Sequence, residues 1–182
     1  MIYAIAEKIA IKIKQLNEEE TTSVPVMKYA LIGIISICST TFLTILIAFL
    51  TDKLYSTIIT MIAYVILRTL SGGFHFKSAT GCILFSVTNF VVIQFIPMND
   101  TSMWIATAIS GLLVLLYAPS DLKGKTRIPE LLFPYLKIIS LIVILSNVFF
   151  QSTIVSLAFF SQSLTLLPWL NILKKEVINN ET

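Results

Sequence analysis

Twenty-two consecutive residues, Tyr29 to Leu50, carry no charged side chain. As a helix rising about 1.5 Å per residue, such a run crosses a hydrocarbon core of about 30 Å. Lipid offers backbone N–H and C=O groups no partners, so a spanning segment must satisfy them within its own helix. Further apolar runs follow at Leu54 to Leu67, Ala79 to Met98, Met103 to Ala118, Leu131 to Phe150 and Ser152 to Leu170. Asp52-Lys53, Pro97 with Asn99-Asp100, the polar stretch Pro119 to Glu130, and Gln151 mark the turns between them. The hydrophobic share of 56% against 13% charged lies outside the balance of a soluble domain.

The expected fold is therefore an all-α integral membrane protein, with an N-terminal amphipathic helix plus about six transmembrane helices. It is read as a single membrane domain over 1–182: a cytoplasmic or interfacial helix and linker at 1–28, the helical bundle at 29–170 and a cytoplasmic tail at 171–182. On a helix, Ile2, Ile5, Ala6, Ile9, Ile13 and Leu16 share one face while Glu7, Lys8, Lys14 and Gln15 point away. Glu7, Lys8, Lys12 and Lys14 break the apolar core that a signal peptide requires, so no cleavage is expected. An interfacial helix and a helix packed on the cytoplasmic ends of the bundle both fit this pattern.

Six spans place twelve of the thirteen lysines and arginines on one side and only Lys53 on the other. The positive-inside rule assigns the richer side to the cytoplasm, with both termini and the loop containing residues 68–78. The formal net charge of +3 thus reports orientation, and no nucleic-acid motif is present. Two cysteines and one histidine are too few for a disulfide scaffold or a dedicated zinc site without clustered carboxylates. No metal or other cofactor is expected.

The one histidine, His75, lies in a hydrophilic interruption between the second and third runs, with Gly72-Gly73 before it and Cys82 seven residues on. A thiol is mostly protonated at neutral pH, so a nucleophilic cysteine needs a base or a positive environment. His75 is the base candidate, Arg68 and Lys77 supply positive charge, and Ser78 is placed to cap a helix whose first turn carries Cys82. On one straight helix, positions 75 and 82 would be about 10 Å apart along the axis, too far for proton transfer. The chain must fold back, which the two glycines permit; their N–H groups would also suit an oxyanion. Arg68 suits substrate positioning or the local field, and equally a membrane-edge anchor. Ser86, one turn after Cys82, shares its face and is a candidate for orienting the site. Cys38, in mid-span with no catalytic partner for its thiol, is read as a packing residue.

The pattern Arg68-x-x-x-Gly72-Gly73-x-His75, then Lys77-Ser78 and Cys82, resembles the core motif of the accessory gene regulator B family of peptide-processing membrane endopeptidases. Tyr117-Ala118-Pro119-Ser120-Asp121 and the basic loop after it resemble the segment that follows that family's fourth span, although Gly124-Lys125-Thr126-Arg127 departs from the family's lysine-proline. The resemblance implies a cysteine endopeptidase of the bacterial cell membrane with Cys82 as nucleophile and His75 as base and later acid. It would remove the C-terminal tail of a small quorum-sensing propeptide and close the remainder into a thiolactone or lactone. The implied partners are a precursor with an amphipathic leader and an acidic tail, the lipid bilayer, and a second copy of the chain in a homodimer. Two other classes stay open: a small transporter or exporter subunit, against which stands the near absence of charge within spans, and an inactive regulatory membrane protein.

Overall fold

The computed structural model describes residues 2–16, 21–74, 76, 78–120 and 129–168. Among them the regular elements are helices: α1 (Ile2–Leu16), α2 (Val24–Leu50), α3 (Leu54–Ser71), α4 (Ala79–Ile93), α5 (Asp100–Tyr117), a 3₁₀ turn at Glu130–Leu132, α6 (Phe133–Leu145), α7 (Asn147–Phe150) and α8 (Thr153–Leu164). Four helical stretches are long and apolar enough to cross a membrane: Val24–Leu50, Leu54–Ser71, Asp100–Tyr117 and Glu130–Phe150. Ala79–Ile93 and Thr153–Leu164 are apolar but shorter. Among the described residues each apolar run contains a helix, although those expected over Ala79 to Met98 and Ser152 to Leu170 are helical only over Ala79–Ile93 and Thr153–Leu164, and the chain is an all-α membrane protein.

Local chemistry sets the boundaries. Helix α2 begins earlier than its uncharged run because Pro25, with its fixed φ, occupies the first turn. Asp52 takes a left-handed φ of 53° in the turn before α3. At the start of α5 the Asn99 side chain accepts from the Ser102 amide at 2.8 Å, a helix N-cap. The run Ala79 to Met98 is helical only to Ile93. The amides of Gln94, Phe95 and Ile96 bond three residues back rather than four, and Pro97 disfavours helical geometry at Ile96. Glu130–Phe150 breaks at Ser146, and Gln151 makes the turn into α8 with a left-handed φ of 47°.

The chain divides into two compact units, one comprising residues 1–52 and 75–89, the other residues 53–74 and 90–182. In the first, α1 packs on α2 with Ala6 and Ala10 fully buried, while Ile5, Ile9, Ile13 and Leu16 of the anticipated apolar face remain exposed. The small alanines let the helix backbones approach. Glu7 and Lys28 form an ion pair at 3.0 Å between these helices. The Tyr3 hydroxyl accepts from the Ala79 amide at 3.1 Å, tying α1 to the start of α4.

In the second unit, α3 and α5 each pack against α6 and α8. The core comprises Ala63, Tyr64 and Leu67 of α3, Phe90 of α4, Val114 and Ala118, Ile144 of α6, and Ala158, Phe159 and Leu166. The Tyr64 and Phe90 rings meet edge to face at 5.1 Å. Small polar groups lace the same helices: Thr107 with Ser156 at 3.0 Å, and Gln94 to Thr60 at 2.8 Å. Hydrogen bonds of this kind join helices where apolar burial gives no net drive between them.

Candidate active site

In the first unit, Ser78 caps α4 as anticipated. Its hydroxyl accepts from the Gly81 amide at 3.0 Å, and its carbonyl accepts from the Cys82 amide at 3.1 Å. Cys82 is therefore the first residue of α4 with a regular intrahelical N–H bond. Its half-buried thiol points at the Phe76 carbonyl oxygen, 3.8 Å away. The Phe76 ring packs on Phe85 with centroids 5.4 Å apart, and a Cβ added at Gly81 would lie 3.4 Å from Phe76 Cβ. The segment before α4 thus folds back across its first turn. Gly81 leaves room for this by presenting no side chain. Ser86 follows one turn later and is half-buried. The amides of Ala79 and Gly81 already have the Tyr3 and Ser78 hydroxyls as partners, so what this helix start offers Cys82 is chiefly its dipole. Cys38, on α2, is exposed.

In the second unit, the end of α3 is held by a polar network. Gly72, at φ 72°, and Gly73, at φ 131°, carry the chain off the helix in conformations that disfavour side chains. Gly72 donates to the Arg68 carbonyl at 2.9 Å and Gly73 to the Ser120 carbonyl at 3.1 Å, while the Ser120 amide donates back to Ser71 at 2.9 Å. The anticipated oxyanion role for the two glycine amides is therefore not their use here: both are spent on backbone acceptors. Ser120 belongs to the Tyr117-to-Asp121 segment, and its bridge to Gly72 joins the two stretches that carry the family resemblance.

Arg68 is likewise engaged. Its guanidinium donates to the Phe74 carbonyl at 2.5 Å, to Gln162 Oε1 at 3.2 Å and to Thr165 Oγ1 at 3.3 Å. Gln162, fully buried, donates through Nε2 to the Gly72 carbonyl at 2.7 Å and to Ser71 Oγ at 3.3 Å. The Phe74 amide donates to the Thr165 carbonyl at 2.9 Å. Among the described residues, the groups that Arg68 contacts are all neutral. Sequence reasoning missed Gln162 and Thr165. The signal was available: a glutamine inside an apolar run is costly in lipid and calls for a partner.

The structure brings Arg68, Gly72 and Gly73 together within one unit, and Cys82, Ser78 and Ser86 within the other. His75, Lys77, Asp121 and the basic loop through Ile128 lie outside the described residues, as do the tail lysines Lys174 and Lys175.

Comparison with known proteins agrees with the motif. The family model described as accessory gene regulator B matches residues 3–173. An AgrB-like protein of Halalkalibacterium halodurans is 32% identical over 120 residues, covering 65% of this chain. The aligned region spans about three fifths of that relative, 61% of its length. No solved structure matches the chain. With the family model covering nearly the whole sequence, this protein belongs to the accessory gene regulator B family.

Proposed function

We propose that the chain is a membrane-embedded cysteine endopeptidase that trims and cyclises a small peptide precursor. Its family is involved in the processing of quorum-sensing peptides. The observation that carries the reading is the placement of Cys82: a half-buried thiol at the start of α4, with the chain from the His75 side folded back so that the Phe76 carbonyl faces the sulfur.

In this reading His75 takes the Cys82 proton as the sulfur attacks the scissile carbonyl, and returns it to the departing amine of the acidic C-terminal tail. An acyl-enzyme thioester remains. A cysteine thiol within the precursor then attacks the thioester carbonyl and releases Cys82, closing a thiolactone; a serine hydroxyl gives the lactone instead. Exchange of one thioester for another swaps like bonds, so closure proceeds near equilibrium wherever water is kept from the acyl-enzyme. Lys77 and Ser86 are assigned to substrate contact or orientation at this thiol. The glycines are assigned to backbone shape. In this reading the precursor has an amphipathic leader and an acidic tail, and the site faces the cytoplasm of a bacterial cell membrane, a side that the lysine and arginine bias supports.

The test is co-expression with a precursor of that description, with mass spectrometry of the products. Wild type should yield shortened, cyclised peptide, while Cys82→Ala and His75→Ala should yield none. Processing by either variant would overturn the assignment of the pair.

A further inference from the structure

We infer that Gln162 is a positioning residue for the catalytic segment, acting together with Arg68 from the opposite end of the sequence. The inference rests on the reading of His75 as the base of Cys82.

The two carboxamide ends of Gln162 face different partners. Nε2 holds the Gly72 carbonyl at 2.7 Å, and Oε1 accepts from Arg68 at 3.2 Å. The same guanidinium bonds the Phe74 carbonyl, and the Phe74 amide is held by the Thr165 carbonyl at 2.9 Å. Both backbone polar groups of Phe74, the residue immediately before His75, are thereby fixed by Arg68 and α8-end residues. Gly73 lies between them with its amide on Ser120. A Cβ there would sit 2.5 Å from Thr165 Oγ1 and 3.2 Å from the Arg68 guanidinium, so glycine is what allows the network to close over this segment.

Gln162 is fully buried, so water cannot replace its bonds. Arg68, half-buried and committed to three neutral acceptors, is thus a brace for residues 72–74 rather than a free cation for an acidic peptide. A lysine in its place could not span the Phe74 carbonyl and the Gln162 amide together, because only a guanidinium fork presents donors in those two directions. Residues 72–74 are held by Gln162 and Thr165, about ninety positions away in sequence.

The experiment uses the full-length chain in membranes, with Cys38→Ala so that Cys82 is the one reporting thiol. The probe is N-ethylmaleimide, and the readout is its rate of reaction with Cys82 at neutral pH. His75→Ala should slow the reaction. Gln162→Met, which keeps length and removes both hydrogen-bonding ends, should slow it by a similar factor, roughly tenfold if positioning governs the encounter of base and thiol. The double variant should be no slower than His75→Ala alone, because Gln162 acts through His75; a merely structural loss would add. If Gln162→Met fails to accumulate in membranes, Thr165→Val decides. It removes one Arg68 acceptor while keeping the backbone anchor of Phe74, and a several-fold slowing that vanishes in the His75→Ala background is expected. Unchanged rates in the Gln162 or Thr165 variant, or additive loss in the double variant, would overturn the inference while leaving the dyad intact. An unchanged rate in His75→Ala would overturn the dyad and this inference with it.

Discussion

Gly73 and Gly81 are both glycines in tight surroundings, yet substitution should damage the molecule in different ways. At Gly73 the left-handed φ of 131° and the Thr165 hydroxyl 2.5 Å from a would-be Cβ act together. Gly73→Ala should destabilise the second unit by about 1–3 kcal/mol, because backbone strain and displacement of a buried polar group both oppose it. A lowered unfolding midpoint in detergent is the expected result. Gly81 sits in a regular helical turn, where alanine is favoured over glycine by about 1 kcal/mol. Its added Cβ would lie 2.8 Å from Ser78 Oγ and 3.4 Å from Phe76 Cβ, so the cap and the folded-back segment must shift. Gly81→Ala should leave the unfolding midpoint nearly unchanged while lowering the rate of Cys82 modification. A slower thiol without a loss of stability would locate the effect in the Phe76–Cys82 contact; an unchanged rate would deny that contact a role.

At the scale of the helices, capping is where sequence and structure agree most closely. Ser78 was recognisable as a cap because a serine followed by a small-residue apolar run is a helix-start signal, and its hydroxyl does bond the Gly81 amide. Removing that bond in Ser78→Ala should cost about 1 kcal/mol of local stability and raise hydrogen exchange at Gly81 and Cys82 before the rest of α4. Uniform exchange along α4 would argue that the cap is energetically silent. The apolar runs located every long helix, since lipid imposes helical structure on any stretch that must satisfy its own backbone. Their ends were less legible. Helix α4 stops at Ile93 although Phe95 and Ile96 follow Gln94, the chain tightening to three-residue bonds at Gln94, Phe95 and Ile96 ahead of Pro97, which disfavours helical geometry at Ile96. The Gln162–Arg68–Phe74 network could not be read from spacing at all. Its partners are neutral groups brought together by the packing of α3 on α8, and hydropathy records a polar residue in a span without naming what it bonds.

For the whole molecule, the direction of the spans is written into the second unit. The C-terminal ends of α3 and α5 meet through the parallel bridge of Gly72 to Ser120, and the turn after α8 joins them through the Phe74 to Thr165 bond. The second, fourth and sixth apolar helices therefore end on the same side, as an even count of crossings requires. Helices α4 and α8, of 15 and 12 residues, rise only about 22 and 18 Å, short of a hydrocarbon core of about 30 Å. Irregular backbone at membrane depth is tolerated where protein satisfies it. The end of α8 meets that condition: Thr165 and Leu166 are buried, and the Thr165 carbonyl bonds Phe74. The polar network thus closes the end of a short apolar helix inside the protein and bonds the backbone of Gly72 and Phe74. Joined to the twelve-to-one distribution of lysine and arginine, this parity fixes an expected topology. Alkaline phosphatase fused after Asp52, Asn99 or Gln151 should be active outside the cell membrane, and fused after Ser23, Arg127 or Thr182 it should be inactive. Activity at Thr182 alongside activity at Asp52 would require an odd number of crossings, and so would contradict both the shared direction of α3, α5 and α8 and a cytoplasmic location for Cys82 and the C-terminus together.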